Sequence, residues 1–146
     1  ASGIQRDATL SRYRAHVTCQ SIEFYTRYQL SFEAAIEHHA ILAQVRNAMV
    51  DAMKDPAASG DSVAAACGEV LSSNGTSADE LGLRCFVRFA ARSYLGNAFV
   101  ISPVMPVGEA VELRRRLVEA RLLGWHALRA EWVQVLQQRG CEVVTR

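Results

Sequence analysis

The sequence predicts an all-α fold, a helical bundle built on one very long N-terminal helix. Three observations lead there. Between Ile4 and Asp55 there is no Gly, no Pro and a single Asn, although turns lean on those residues. Apolar residues through the same stretch recur at spacings of three, four or seven. A capping box, Ser77-Ala78-Asp79-Glu80, marks a separate helix start further on.

The first helix is expected over about residues 8–54. Its apolar positions are Leu10, Tyr13, Val17, Phe24, Tyr28, Phe32, Ala35, Leu42, Met49 and Met53. Leu10, Val17 and Phe24 keep a seven-residue repeat, and after a four-residue step Tyr28, Ala35, Leu42 and Met49 resume it, a heptad register with a stutter. Asp7 or Thr9 serves as N-cap, and Pro56 stops the helix. A second, Ala-rich helix is expected over 62–71, capped by Asp61. The third follows the capping box over 78–97, with Leu83, Phe86, Val87, Ala90 and Tyr94 inward and Arg84, Arg88 and Arg92 on the opposite face. Residues 99–106 read as extended, because the residue before each proline is pushed out of the α region. The last helix is expected over 107–139, ending at Gly140. Its interior Gly124 costs about 1 kcal/mol relative to Ala, and a close helix crossing would account for it.

A rival pattern runs through the first helix. Ile22, Phe24, Thr26, Tyr28, Leu30 and Phe32 alternate with more polar neighbours, the period of a half-buried strand. On that reading residues 20–32 are a strand and the fold is α+β. The helical face is preferred because it continues on both sides and no turn residues bound the segment.

Length and composition suit one domain over residues 1–146, with half the residues apolar and 21% charged. No apolar run approaches the roughly 18 residues of a membrane span. The formal net charge is +1, spread evenly along the chain, which makes nucleic acid an unlikely partner. Lys54 is the sole lysine beside 15 arginines. Cys19, Cys67, Cys85 and Cys141 form no close pair, so zinc ribbons and thioredoxin-like sites lose support. Buried free thiols in a cytoplasmic protein are the expected state. An exported, disulfide-stapled form is the alternative.

Tests for chemistry are negative. His38 and His39 are neighbours that point about 100° apart on a helix, too divergent for one ion. No HExxH, Gly-rich phosphate loop or GxSxG elbow occurs. No metal, cofactor or catalytic residue is therefore expected. What remains is surface. A helix of about 46 residues would be about 69 Å long, roughly twice the width of a domain this size. Its apolar edge, with Phe24, Tyr28 and Phe32, would have to be shared with a second copy of the chain. The stripe Arg84, Arg88 and Arg92 suits an acidic partner protein, since guanidinium forks grip carboxylates at two points. The sequence thus points to a non-enzymatic protein–protein interaction module, a homodimeric regulator, adaptor or chaperone-like binder. The alternatives are a small-molecule-binding helical bundle, with a cavity near Trp125 and Trp132, and the exported effector.

Overall fold

The computed structural model describes residues 3–90 and 99–138. It shows an α+β fold, which corrects the all-α expectation. Five antiparallel strands lie in the order β1-β2-β3-β4-β5: β1 Ile4–Asp7, β2 Arg12–Cys19, β3 Ile22–Tyr25, β4 Arg84–Ala90 and β5 Phe99–Ile101. The described helices are α1 Phe32–Ala52, α2 Gly60–Ser73, α3 Ala78–Leu81, α4 Val107–Leu123 and α5 Trp125–Gln138.

The 8–54 rod does not exist. Its first half is a hairpin, and its turns are made by residues other than Gly, Pro and Asn. Asp7 closes the β1–β2 turn by accepting from the Thr9 and Leu10 amides at 3.1 and 3.4 Å, and Ser11 takes φ 48°. Gln20 and Ser21 take φ 47° and 70°, the positive-φ pair of a two-residue type I′ hairpin, usually filled by Asn-Gly. The register pairs Cys19 with Ile22 and Val17 with Phe24. The seven-residue spacing of Val17 and Phe24 is therefore a cross-strand pair. The strand alternative over 20–32 is closer, but its alternation ends at Tyr25 in the ladder. A connector follows, tied by paired Tyr13–Gln29 backbone bonds. The reasoning that a long rod must share its edge in a homodimer goes with the rod.

Helix begins at Phe32, where the Ser31 hydroxyl accepts from the Ala34 amide at 3.2 Å. From there the heptad reading holds, and Ala35, Leu42 and Met49 are buried on α1 together with Val45. The second helix is capped by Ser59, not Asp61. The capping serine at 77 works as expected, accepting from the Glu80 amide at 3.2 Å, but its helix lasts four residues. Gly82, at φ 60° and ψ 38°, ends it, and Arg84–Ala90 is strand β4. Residues 91–97 of the expected 78–97 helix lie outside the described residues. The expected 107–139 helix breaks at Gly124, whose φ of 119° is the reason for the glycine. A Cβ there would meet nothing within 4 Å, so no close crossing is involved. Gly140 lies outside the described residues.

The helices line one side of the sheet. Ala15, Val17 and Cys19 of β2, Ile22 and Phe24 of β3, Cys85, Val87 and Phe89 of β4 and Val100 of β5 all point that way and are buried against residues such as Leu42, Val63, Leu113 and Leu117. Gly60 and Gly108 let α2 and α4 touch; a Cβ at Gly60 would collide with the Gly108 carbonyl. The Gly60 amide donates to Glu112 at 2.7 Å, and Arg114 Nε donates to the Gln20 carbonyl at 2.7 Å, which ties α4 to the hairpin turn.

The turn gives a test with opposite signs. Gln20→Asn combined with Ser21→Gly should raise the unfolding free energy by about 1 kcal/mol in urea titration, since it relieves two left-handed side-chain-bearing residues. In a continuous helix the same glycine would cost about 1 kcal/mol.

Candidate functional site

A strand sends successive side chains to opposite faces, so the core-facing set defines a second set. On β1 and β2 these are Asp7, Arg12, Arg14, His16 and Thr18, on β3 Glu23 and Tyr25, on β4 Arg84, Phe86 and Arg88, and on β5 Phe99 and Ile101. Glu23 is buried, and the others named are half-buried or exposed among the described residues. Phe99 and Ile101 are 43% and 50% exposed, unusual for large apolar residues on a strand. This open face is the candidate site.

Its side chains are ordered by contact between cations and rings. The Arg14 guanidinium lies over the Tyr25 ring, 4.1 Å from its centroid. Arg12 and Arg14 both lie over Tyr28, at 4.1 and 4.7 Å. Arg88 lies over Phe99 at 4.2 Å. Such contacts are worth about 0.5–1 kcal/mol at exposed sites and restrict where a guanidinium can sit. Tyr25 also stacks with His16 and with Phe86, each with ring centroids 5.7 Å apart. Glu23 holds the centre. It accepts from the Tyr25 hydroxyl at 3.2 Å and from Arg88 Nη1 at 3.5 Å. Burial, reinforced by the Glu23 carboxylate, pushes the Tyr25 phenol above its ordinary range, and burial pushes the His16 imidazole below its own.

At one end of this face β2, the β3–α1 connector and the α3–β4 turn enclose a cleft of about 470 Å³. Arg12, Arg14, Arg27 and Arg84 line it, with Tyr28 and Gly82. Gly82 has to be glycine here. Its φ is positive, and a Cβ would stand 2.8 Å from Arg27 Cβ. Arg12 Nε bonds Asp7 at 3.0 Å, and this bond holds the Asp7 carboxyl below the usual carboxylate range. Arg14 Nε donates to Gln5 at 2.6 Å, and Arg27 donates to the Asp79 carbonyl at 2.6 Å. The Arg84 side chain makes no hydrogen bond or ion pair among the described residues.

Of the residues expected to meet a partner, Arg84, Arg88 and Tyr28 are brought together here. A spacing of four keeps Arg84 and Arg88 on one face in a strand as in a helix. Phe24 is completely buried in the core and leaves the candidate surface. Phe32 packs edge-on against Tyr13, at 5.3 Å, away from this face. Arg92 lies outside the described residues. Sequence reasoning missed Arg12, Arg14, His16, Glu23, Tyr25, Phe86 and Phe99. The alternation of Arg12, Arg14, His16 and Thr18 with Tyr13, Ala15, Val17 and Cys19 is the signal that would have found the first three.

Other chemistry is sparse. Among the described residues no group of three or more His, Cys, Asp and Glu can hold a metal ion, and no helix is long and apolar enough to cross a membrane. The cavity expected between Trp125, Trp132 and a 78–97 helix has no second wall of that kind, because β4 stands there. Cys19, Cys67 and Cys85 are buried free thiols; Cys141 lies outside the described residues. Burial pushes Cys67 up to about 11 and Cys85 up to about 12, and the Cys85 Sγ donates to the Met105 carbonyl at 3.2 Å.

Comparison with protein-family models, with curated proteins and with solved structures finds no match to this chain.

The thiols carry a prediction. A maleimide reagent at about pH 8 should leave Cys19, Cys67 and Cys85 unmodified in the folded protein and label all three on unfolding. Their raised values also fix the sign of an alkaline effect: the stabilisation is complete below the unfolded thiol range and is lost as pH climbs from there through the folded values of about 11 and about 12. The midpoint of urea unfolding should therefore fall above about pH 9, and less so for Cys85→Ala than for the parent.

Proposed function

We propose that this protein is a non-enzymatic interaction module that holds an acidic segment of a partner protein against the open face of its sheet. One observation carries the reading: Arg12, Arg14 and Arg88 are each seated on an aromatic ring of the open face. A free arginine loses side-chain entropy when it grips a carboxylate. Arginines already laid on rings have lost much of that freedom, so a bidentate carboxylate contact costs less to form. The exposed Phe99 and Ile101 add apolar area beside the cations, the mixture that interface centres favour.

The same mixture of arginines and rings invites single-stranded nucleic acid, which stacks bases on aromatic faces. Here those faces carry guanidiniums. Tyr25 has Arg14 above it and Tyr28 has two arginines against it, so a base would have to displace a cation to stack. The overall charge of +1 also supplies little long-range attraction for a phosphate backbone.

The test uses a fluorescein-labelled peptide of eight glutamates. It should bind the protein in anisotropy titrations, and Arg14→Gln or Arg88→Gln should each weaken binding by about five- to tenfold at unchanged circular dichroism. Raising salt from about 50 to 300 mM should weaken it further. Absence of binding at low salt, or binding indifferent to both substitutions, overturns the reading. So does a single-stranded oligonucleotide that displaces the peptide at lower concentration.

A further inference from the structure

The cleft at the end of the sheet holds more positive charge than a carboxylate can use. Among the described residues, four guanidiniums line it and no carboxylate does. Asp7, reached by Arg12 from outside the lining, offsets one. Arg14 and Arg27 are held by neutral acceptors, Gln5 and the Asp79 carbonyl, which fix their direction without cancelling charge. Arg84 has nothing to hold among the described residues. Three uncompensated cations around one cleft repel each other, and a fold with no use for them would disperse them. Here they are instead fastened in place, by Tyr28 stacking, by the Gln5 bond and by the tight Gly82 turn that brings Arg27 alongside Arg84.

We infer that this cleft is a receptor for a phosphorylated side chain, carried within the acidic segment that the open face holds. The inference rests on the docking proposal and names the anchoring group. A carboxylate brings one negative charge and two oxygens, enough for a single guanidinium fork. A phosphoryl group brings about −1.5 to −2 and three acceptor oxygens. It can satisfy the forks of Arg27, Arg84 and Arg14 at once. Geometry links it to the rest of the face through Arg14, which touches both Tyr28 at the cleft and Tyr25 on the sheet. A peptide with its phosphoryl group in the cleft continues along β3 and β4 over Tyr25 towards Arg88. Arg84 stands directly opposite Tyr25 in the ladder, so the path starts one residue pair from the cleft. A free nucleotide fits less well, because the one ring in the cleft is occupied by Arg12 and Arg14.

Three peptides of equal length test this by calorimetry: a glutamate-rich peptide with a central phosphoserine, the same peptide with serine, and the same with glutamate there. The phosphopeptide should bind about tenfold or more tighter than either of the others at about pH 7.5. Arg84→Gln and Arg27→Gln should each erase that preference, bringing the phosphopeptide down to the serine peptide's affinity for the same variant, whereas Arg88→Gln should weaken all three peptides alike. Lowering the pH to about 5.5 should shrink the preference, since the phosphoryl group loses its second charge near pH 6. If the serine and glutamate peptides bind and the phosphopeptide binds no better, the receptor is overturned and the docking face stands. If none binds, both fall. A preference that survives Arg84→Gln combined with Arg27→Gln also overturns it, because the phosphoryl group is then held elsewhere.

Discussion

Everything distinctive in this molecule depends on a sheet that the described helices back on one side only. With α1, α2 and α4 against one face, the pleat sorts each strand into core and surface residue by residue. Val17, Phe24, Val87 and Phe89 go to the core because their neighbours Arg14, His16, Tyr25, Phe86 and Arg88 go to the other side. A shift of one residue in the β2–β3 register would put Arg and His into the core, so the hairpin turn at Gln20–Ser21 also determines which side chains reach the site. The left-handed conformation of those two residues costs energy that the burial of Ile22 and Phe24, both with no exposure, offsets.

On the open face, charge and aromatic surface solve each other's problem. Tyr25, Phe86 and Phe99 would be an apolar patch on an unbacked sheet, an invitation to aggregation. Guanidiniums laid over Tyr25 and Phe99 cover that patch with groups that stay hydrated at their edges. Among the described residues Glu23 is the only acid at the centre, and it is engaged by the Tyr25 hydroxyl and Arg88. Cation density among the described residues rises from the β5 side towards the cleft beside Tyr28. That gradient gives the face a direction: apolar and lightly charged at one end, strongly basic at the other.

Where the sequence was legible, its signals came from residues whose meaning does not depend on partners. The Ala35, Leu42, Met49 repeat marks a real helix, and Ser77 caps a real helical turn. The prolines at 103 and 106 mark extended chain beside β5. The errors share one cause. Turn chemistry at Ser11, Gln20 and Ser21 uses residues that carry no turn signal, so a hairpin looked like uninterrupted helix. Its cross-strand pairs then imitated a heptad, since residues 17 and 24 face each other across a two-residue turn. Over 84–90 a strand with charges four apart resembles the polar stripe of a helix, and only Gly82 hinted that the capped helix was short. Half the site was readable because Arg84 and Arg88 share a face in either structure. Arg12, Arg14 and Tyr25 were not, because their neighbourhood exists only once β2, β3 and β4 pair.

Arginines seated on rings across this sheet face have a signature in proton NMR. Ring currents should shift the side-chain δ protons of Arg12, Arg14 and Arg88 upfield of their unfolded positions, and Tyr25→Leu should return Arg14 towards the unfolded value while Arg88 stays shifted. Arginine δ protons at unfolded positions in the native protein would mean that the guanidiniums are free of these rings and that the face is not ordered by them.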